Sequence, residues 1–130
     1  MMIADTTNLT ESGPLAGLIL AFPSWAKTQE SIALNAFQGT NDIWVIDLAD
    51  PGNPVNITHT SGYEERMPSW APDDSRLAFR RASATNTKEK ASVFTMSADG
   101  SAVTDIGQPT GGSSPDWRRC CPTCATVCAP

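Results

Sequence analysis

The chain has 130 residues, 40% apolar and 18% charged, with a net charge of −5 and a pI near 4.6; this allows one modest core and is too short for two independent ones. The acidic balance disfavours a phosphate-tracking nucleic-acid surface, and the basic clusters Arg80-Arg81, Lys88 to Lys90 and Arg118-Arg119 are small and scattered. The longest apolar run, Leu15 to Phe22, is interrupted by Gly17 and falls short of the roughly 18 residues of a membrane-spanning helix.

That run does not read as a secretion leader either. Asp5 and Glu11 precede it where basic residues are expected, and no small-residue cleavage site follows. Further along the chain, Ile32-Ala33-Leu34, Ile43 to Leu48, Leu77-Ala78-Phe79 and Val93 to Ala98 are apolar, β-branched or aromatic runs bounded by Gly, Pro, Asn and Asp. Such runs predict half-buried strands. Ten prolines and nine glycines spread along the chain leave little room for a long helix. The expected fold class is all-β.

The stretch "MPSWAPDDSRLAF" at Met67 to Phe79 has a fainter copy, "FPSWAKTQESIAL", at Phe22 to Leu34. Taking Trp25, Trp70 and Trp117 as landmarks, the period is 45 and then 47 residues. A period of 40–50 residues with four strand signals is that of a propeller blade. After each of the first two tryptophans come an apolar strand seven residues on, a longer strand, and a small apolar-Thr step at Ile57-Thr58 or Val103-Thr104. A tryptophan recurring once per blade is expected to fill the gap between stacked sheets. In Pro72-Asp73-Asp74-Ser75 the proline presets φ and the aspartate caps the turn, so its carboxylates, Asp73 and Asp74, are expected to be structural before they are catalytic or metal ligands. Asp99 and Gly100 mark the corresponding turn between the third and fourth strands.

These residues resemble the WD-like propeller repeats of the TolB type, whose blades read approximately "PSWSPDG, IAF, IYVMDADG, LT". The matching pieces are Pro68 to Asp74, Leu77-Ala78-Phe79, Val93 to Gly100 and Val103-Thr104. The first blade is looser: it keeps Pro23-Ser24-Trp25, but Lys27-Thr28-Gln29-Glu30 replaces the turn. The resemblance implies blades of four antiparallel strands, parts of a ring that acts as a binding platform in the periplasm or beside a peptidase. It carries no catalytic residue with it, and neither a catalytic residue nor a cofactor is expected.

Phasing the ends against the repeat gives one partial propeller domain over residues 1–130. It holds two full blades, 23–58 and 68–104, with two half blades around them. Met2 to Thr10 aligns without a gap to Met96 to Thr104, so residues 1–10 read as the trailing strands of a blade. Residues 114–127 read as the opening strands of another, overlapping a cysteine-rich tail at 120–128. Open blades leave unpaired strand edges, so the expected partner is a second copy, in a dimeric ring or a filament, or another protein. The alternative is that the chain is an excerpt of a longer TolB-like or peptidase-associated protein.

The tail holds all four cysteines, Cys120, Cys121, Cys124 and Cys128, at C-C-x2-C-x3-C spacing. Disulfides within or between chains are the preferred reading, which fits a periplasmic or extracellular setting. Zn²⁺ or an iron–sulfur cluster is the second reading, since adjacent cysteines strain tetrahedral coordination. The single histidine, His59, is expected in a solvated turn, and Glu64-Glu65 as surface charge between blades. Asn8 and Asn56 match the glycosylation acceptor pattern as by-products of the repeat. The segment Arg81 to Ala91 is five residues longer than its counterpart and is expected to be an exposed binding loop whose shortening, by deletion of Ala84 to Glu89, spares folding.

Overall fold

A computed structural model describes residues 6–107 together with Pro115 and Trp117. Among the described residues the secondary structure is strand and turn, with no helix. The strands are β1 (Ile19–Trp25), β2 (Ser31–Phe37), β3 (Asn41–Asp47), β4 (Val55–Asn56), β5 (Tyr63–Trp70), β6 (Arg76–Ser83), β7 (Ser92–Ser97) and β8 (Thr104–Gly107). They form two four-stranded antiparallel meanders, β1-β2-β3-β4 and β5-β6-β7-β8. The all-β, four-strand blade read from the sequence is therefore present twice.

Both blades begin earlier than their Pro-Ser-Trp motifs, at Ile19 and Tyr63 rather than at Pro23 and Pro68. A proline has no N–H to give to a ladder, so within sheets it belongs on an edge or in a bulge. Here it does both: β1 and β5 are edge strands, and their pairing skips from Ala21 to Ser24 and from Arg66 to Ser69. The residue before each proline, Phe22 or Met67, takes φ of +54° or +58°. Two non-glycine residues in the left-handed region at the same repeat position mark a built-in bulge.

The turn after each tryptophan is closed by the same bond in both blades, Ala26 N–H to Ser31 O and Ala71 N–H to Arg76 O, each 2.9 Å. Lys27 to Glu30 thus makes the turn although it lost the motif. In the second blade Asp73 Oδ1 accepts from Ser75 N–H (3.1 Å) and from the Ser75 hydroxyl (2.7 Å), which closes the turn locally. Asp99 does the same for Ser101, at 2.9 and 2.5 Å. The fourth strand of the first blade is only Val55–Asn56, and the chain continues along β3 through Ile57 N–H to Ile43 O at 2.9 Å.

The main core lies between the two sheets. Ala26, Ala33 and Ile43 of the first blade meet Trp70, Leu77, Phe79 and Met96 of the second, with Val45, Ile57, Phe94 and Ala98 at the margin. Each large side chain here contributes about 1.5–3 kcal/mol by leaving water. A second cluster covers the far side of the first blade: Leu34, Ala36 and Ile46, with Trp44, Leu20 and Leu18, close around Leu15. Residues 6–10, the described part of the expected leading half blade, form coil and a turn rather than a strand. Its first five residues lie outside the described residues, as does the expected opening half blade at 114–127 apart from Pro115 and Trp117.

Candidate interaction surface at the blade joints

The joint between the blades is organised by the second carboxylate of the Asp73-Asp74 turn, whose partners lie in the other blade. Asp74 is fully buried, at φ +57°, and its carboxylate points back to the first blade. It accepts from the N–H groups of Lys27 (2.8 Å), Thr28 and Gln29 (3.0 Å) and from the Thr28 hydroxyl (2.6 Å). Burial works to raise this carboxyl, but the Thr28 hydroxyl and the three backbone N–H groups outweigh it and hold it below the usual aspartate range. Charge-assisted bonds of this kind lock one blade's turn under the next.

Three further contacts tighten the same joint. Trp70 packs in the inter-blade core, 6% exposed, and its backbone N–H donates to Ser24 Oγ at 3.3 Å. Gly100, at φ +86°, lies so close to the first blade that a Cβ built on it would stand 2.3 Å from the Ile57 carbonyl oxygen. At the opposite end, Glu64 accepts from Asn41 N–H (3.2 Å), Asn41 Nδ2 (2.6 Å) and Arg66 (3.1 Å), and Asn41 accepts from Asn35. Desolvation works against the ionised Glu64, but the bonds from Asn41 and Arg66 pull its carboxyl below the ordinary glutamate value.

Glu65 corrects the surface-charge expectation for the Glu64-Glu65 pair. It is fully buried on β5, where its Oε1 accepts from the Thr60 hydroxyl (2.5 Å) and Arg81 Nε (2.8 Å). Its Oε2 is buried with no partner among the described residues. Burial pushes this carboxyl up, with Thr60, Thr58 and Arg81 pulling the other way. The Arg81 guanidinium is set among the rings of Phe94, Tyr63 and Phe79, at 4.6, 5.3 and 5.5 Å from their centroids. Beside it, Glu89 and Lys90 of the long β6–β7 connection form one wall of an open cleft of about 250 Å³.

The two blades are alike in architecture and unlike in what covers them. Trp25 pairs with Ile32 as Trp70 pairs with Leu77, yet Trp25 is 62% exposed. It does not fill a gap between sheets as a blade tryptophan was expected to, because among the described residues no sheet stands on its side of the first blade. Trp117 is half-buried and its indole N–H donates to Ser69 O at 2.8 Å, on the far face of the second blade. Ser69 is the register equivalent of Ser24, so a third tryptophan meets the second blade where the second meets the first.

A solved structure similar in fold is that of a protein described as TolB from Agrobacterium tumefaciens, with TM-score 0.58 over 72% of this chain. The fold is that of a TolB-type β-propeller, in part. Sequence identity over that match is 23%, and the chain spans only 36% of the other's length. TolB from Acinetobacter baumannii is 14% identical over 77% of this chain and 35% of its own, at a looser TM-score of 0.35. No family model matches the sequence, and no curated protein matches it.

Within the TolB-type blades, the sequence-selected residues separate clearly. Trp70, Asp73, Asp99 and Gly100 lie at the joint or its turns, Trp25 on the far face of the first blade beyond the Leu15 cluster, and Trp117 against the second blade. His59 is exposed in the β4–β5 connection, at φ +43°. Asn56, in β4, spends its side chain on Asp42 Oδ2 (2.9 Å) and on the N–H groups of Thr58 and His59. Among the described residues no group of three or more His, Cys, Asp or Glu could hold a metal ion. Cys120, Cys121, Cys124 and Cys128 lie outside the described residues.

Proposed function

We propose that this chain is a non-catalytic propeller module that binds by completing blades, docking a further blade on the Trp25 face of its first sheet. The supporting observation is the contrast between two tryptophans in one register: Trp70 is buried by its neighbour and Trp25 is 62% exposed. A lone apolar residue on a surface needs no explanation, but one whose repeat twin anchors a sheet-to-sheet joint has a ready partner chemistry. The docked blade comes from a second copy, in a closed ring or a filament, or from another protein. A periplasmic or extracellular setting, with the cysteine tail in disulfides, belongs to the same reading.

A second reading is supported by the span of 36% against a TolB-type structure: the docking blades belong to a longer chain of which these residues are a piece. Light scattering after size exclusion, with and without reductant, tests the proposal. The chain is expected to form a discrete assembly that Trp25→Glu dissociates. A folded monomer, unchanged by that substitution, would refute self-completion and leave the longer chain as the source of the blades.

A further inference from the structure

The side of the first sheet that faces away from the second is not bare. By strand pairing, Trp25, Ile32, Leu34, Ala36, Trp44 and Ile46 share one face, and their repeat counterparts are Trp70, Leu77, Phe79, Arg81, Phe94 and Met96. In the second blade that face lies against a neighbouring sheet. In the first blade it is closed by a piece of irregular chain: Leu15, 1% exposed, sits among Leu34, Ala36 and Ile46. The piece is two tight turns, Ala16 N–H to Gly13 O at 3.1 Å and Leu18 N–H to Leu15 O at 3.2 Å, with Gly13 at φ +80°.

The substitution of leucine for a blade has a chemical reason. Where the second blade buries the Glu65–Arg81 pair against Thr60, the first has Leu20 opposite Ala36, which need no polar partner and accept a purely apolar cover. The cover is anchored by one deeply buried side chain, while Pro14, Ala16 and Gly17 around it are exposed. Among the described residues, no backbone or side-chain hydrogen bond outside the strand ladders ties residues 11–18 to the sheet. The cover also stops short of Trp25, which stays 62% exposed. A blade arriving as the second arrives on the first would need the ground on which Leu15 stands.

We infer that Gly13 to Leu18 is a displaceable surrogate blade, and that it competes for the Trp25 face with a blade of a second copy of this chain. This rests on the reading of the chain as a blade-completing module. A second copy carries the matching surface, because Ser69, Ala78 and Thr95 of its second blade stand at the register positions of Ser24, Ala33 and Val45. In that copy its own Trp117 donates its indole N–H to the Ser69 carbonyl, so the arriving face has this indole to displace. Occupation by Leu15 and by a blade are mutually exclusive, so loosening the segment strengthens association instead of weakening it. A merely structural Leu15 predicts the reverse.

The test is a concentration series by light scattering on the full chain, on Leu15→Ser and on the milder Leu15→Ala, each checked for folding by circular dichroism. Release of the segment is expected to raise the association constant at least tenfold over that of the unmodified chain. A synthetic peptide of residues 11–18, added in excess, is expected to return it toward the wild-type value, and a scrambled peptide to leave it unchanged. Trp25→Glu placed on Leu15→Ser is expected to remove association altogether. If the folded Leu15 variants associate no better than wild type while Trp25→Glu still dissociates it, the competition is refuted and blade docking stands. If association ignores Trp25→Glu, or is absent in every folded variant, docking on this face is refuted and the competition with it.

Discussion

Replacing Asp74 by alanine removes the carboxylate that holds the Lys27–Gln29 turn. Four donors lose a charged acceptor, and hydrogen bonds to a charged group contribute about 1.5–3 kcal/mol each when counted alone. The sum would be an overestimate, because Lys27, Thr28 and Gln29 are exposed and water replaces part of what is lost. The donors also share one acceptor, so their contributions are not additive. About 3 kcal/mol is the reasonable loss, and alanine at φ +57° adds roughly 1 kcal/mol. At about 4 °C per kcal/mol for a domain near 100 residues, Asp74→Ala is expected to melt about 15 °C lower. Asp74→Asn keeps one acceptor and tolerates the left-handed backbone, so about half that loss is expected.

Acid separates this account from simple cavity formation. A carboxyl whose folded pKa is depressed stabilises above its unfolded value and loses that contribution as pH falls through the folded one. The gap between wild type and Asp74→Ala, from urea unfolding followed by circular dichroism, should be full at pH 7 and shrink below about pH 4. A gap under 1 kcal/mol at pH 7, or one unchanged between pH 7 and 3, would refute the clasp.

Gly100→Ala meets both a positive φ and the Ile57 carbonyl at 2.3 Å, so a loss of about 3 kcal/mol is expected. Gly39→Ala has the same kind of φ but open space and should lose only about 1 kcal/mol; equal losses in urea titrations would deny the close approach. For Glu65 the sign is opposite to Asp74. Its folded pKa is raised by burial, so the stability it brings is present below its unfolded value and is lost as pH rises through the folded one. The advantage of wild type over Glu65→Gln should therefore be larger at pH 4 than at pH 7, and an advantage growing with pH would contradict the assignment.

The sequence made some of this legible and hid the rest for identifiable reasons. Trp70, Leu77, Phe79 and Met96 announced the joint because apolar periodicity and a 45-residue period are local, countable signals. The cap of Asp73 on Ser75 was equally local. Asp74 was not, since its partners lie 45 to 47 residues away and nothing in Asp-Asp says which carboxylate turns inward. Glu65 escaped because it lies ahead of the Pro-Ser-Trp motif, where two adjacent carboxylates read as surface charge between blades until β5 is seen to begin at Tyr63 and to place Arg81 opposite it. Leu15 belonged to an apolar run weighed only as a membrane span or a secretion leader, and it fits neither. Its true neighbours, Leu34, Ala36 and Ile46, are fixed by tertiary packing alone.

The reach of Asp74 has a consequence for how the chain is made. The Lys27–Gln29 turn is followed by its carboxylate only 45 to 47 residues later, and at about 5–20 residues per second a ribosome needs roughly 2–9 seconds to supply it. During that interval the first meander exists without its clasp and without the aromatic wall of the second. Its two halves are therefore not independent folding units laid side by side. The first becomes secure only when the second arrives, so nascent chains paused within that window are the ones most in need of a chaperone.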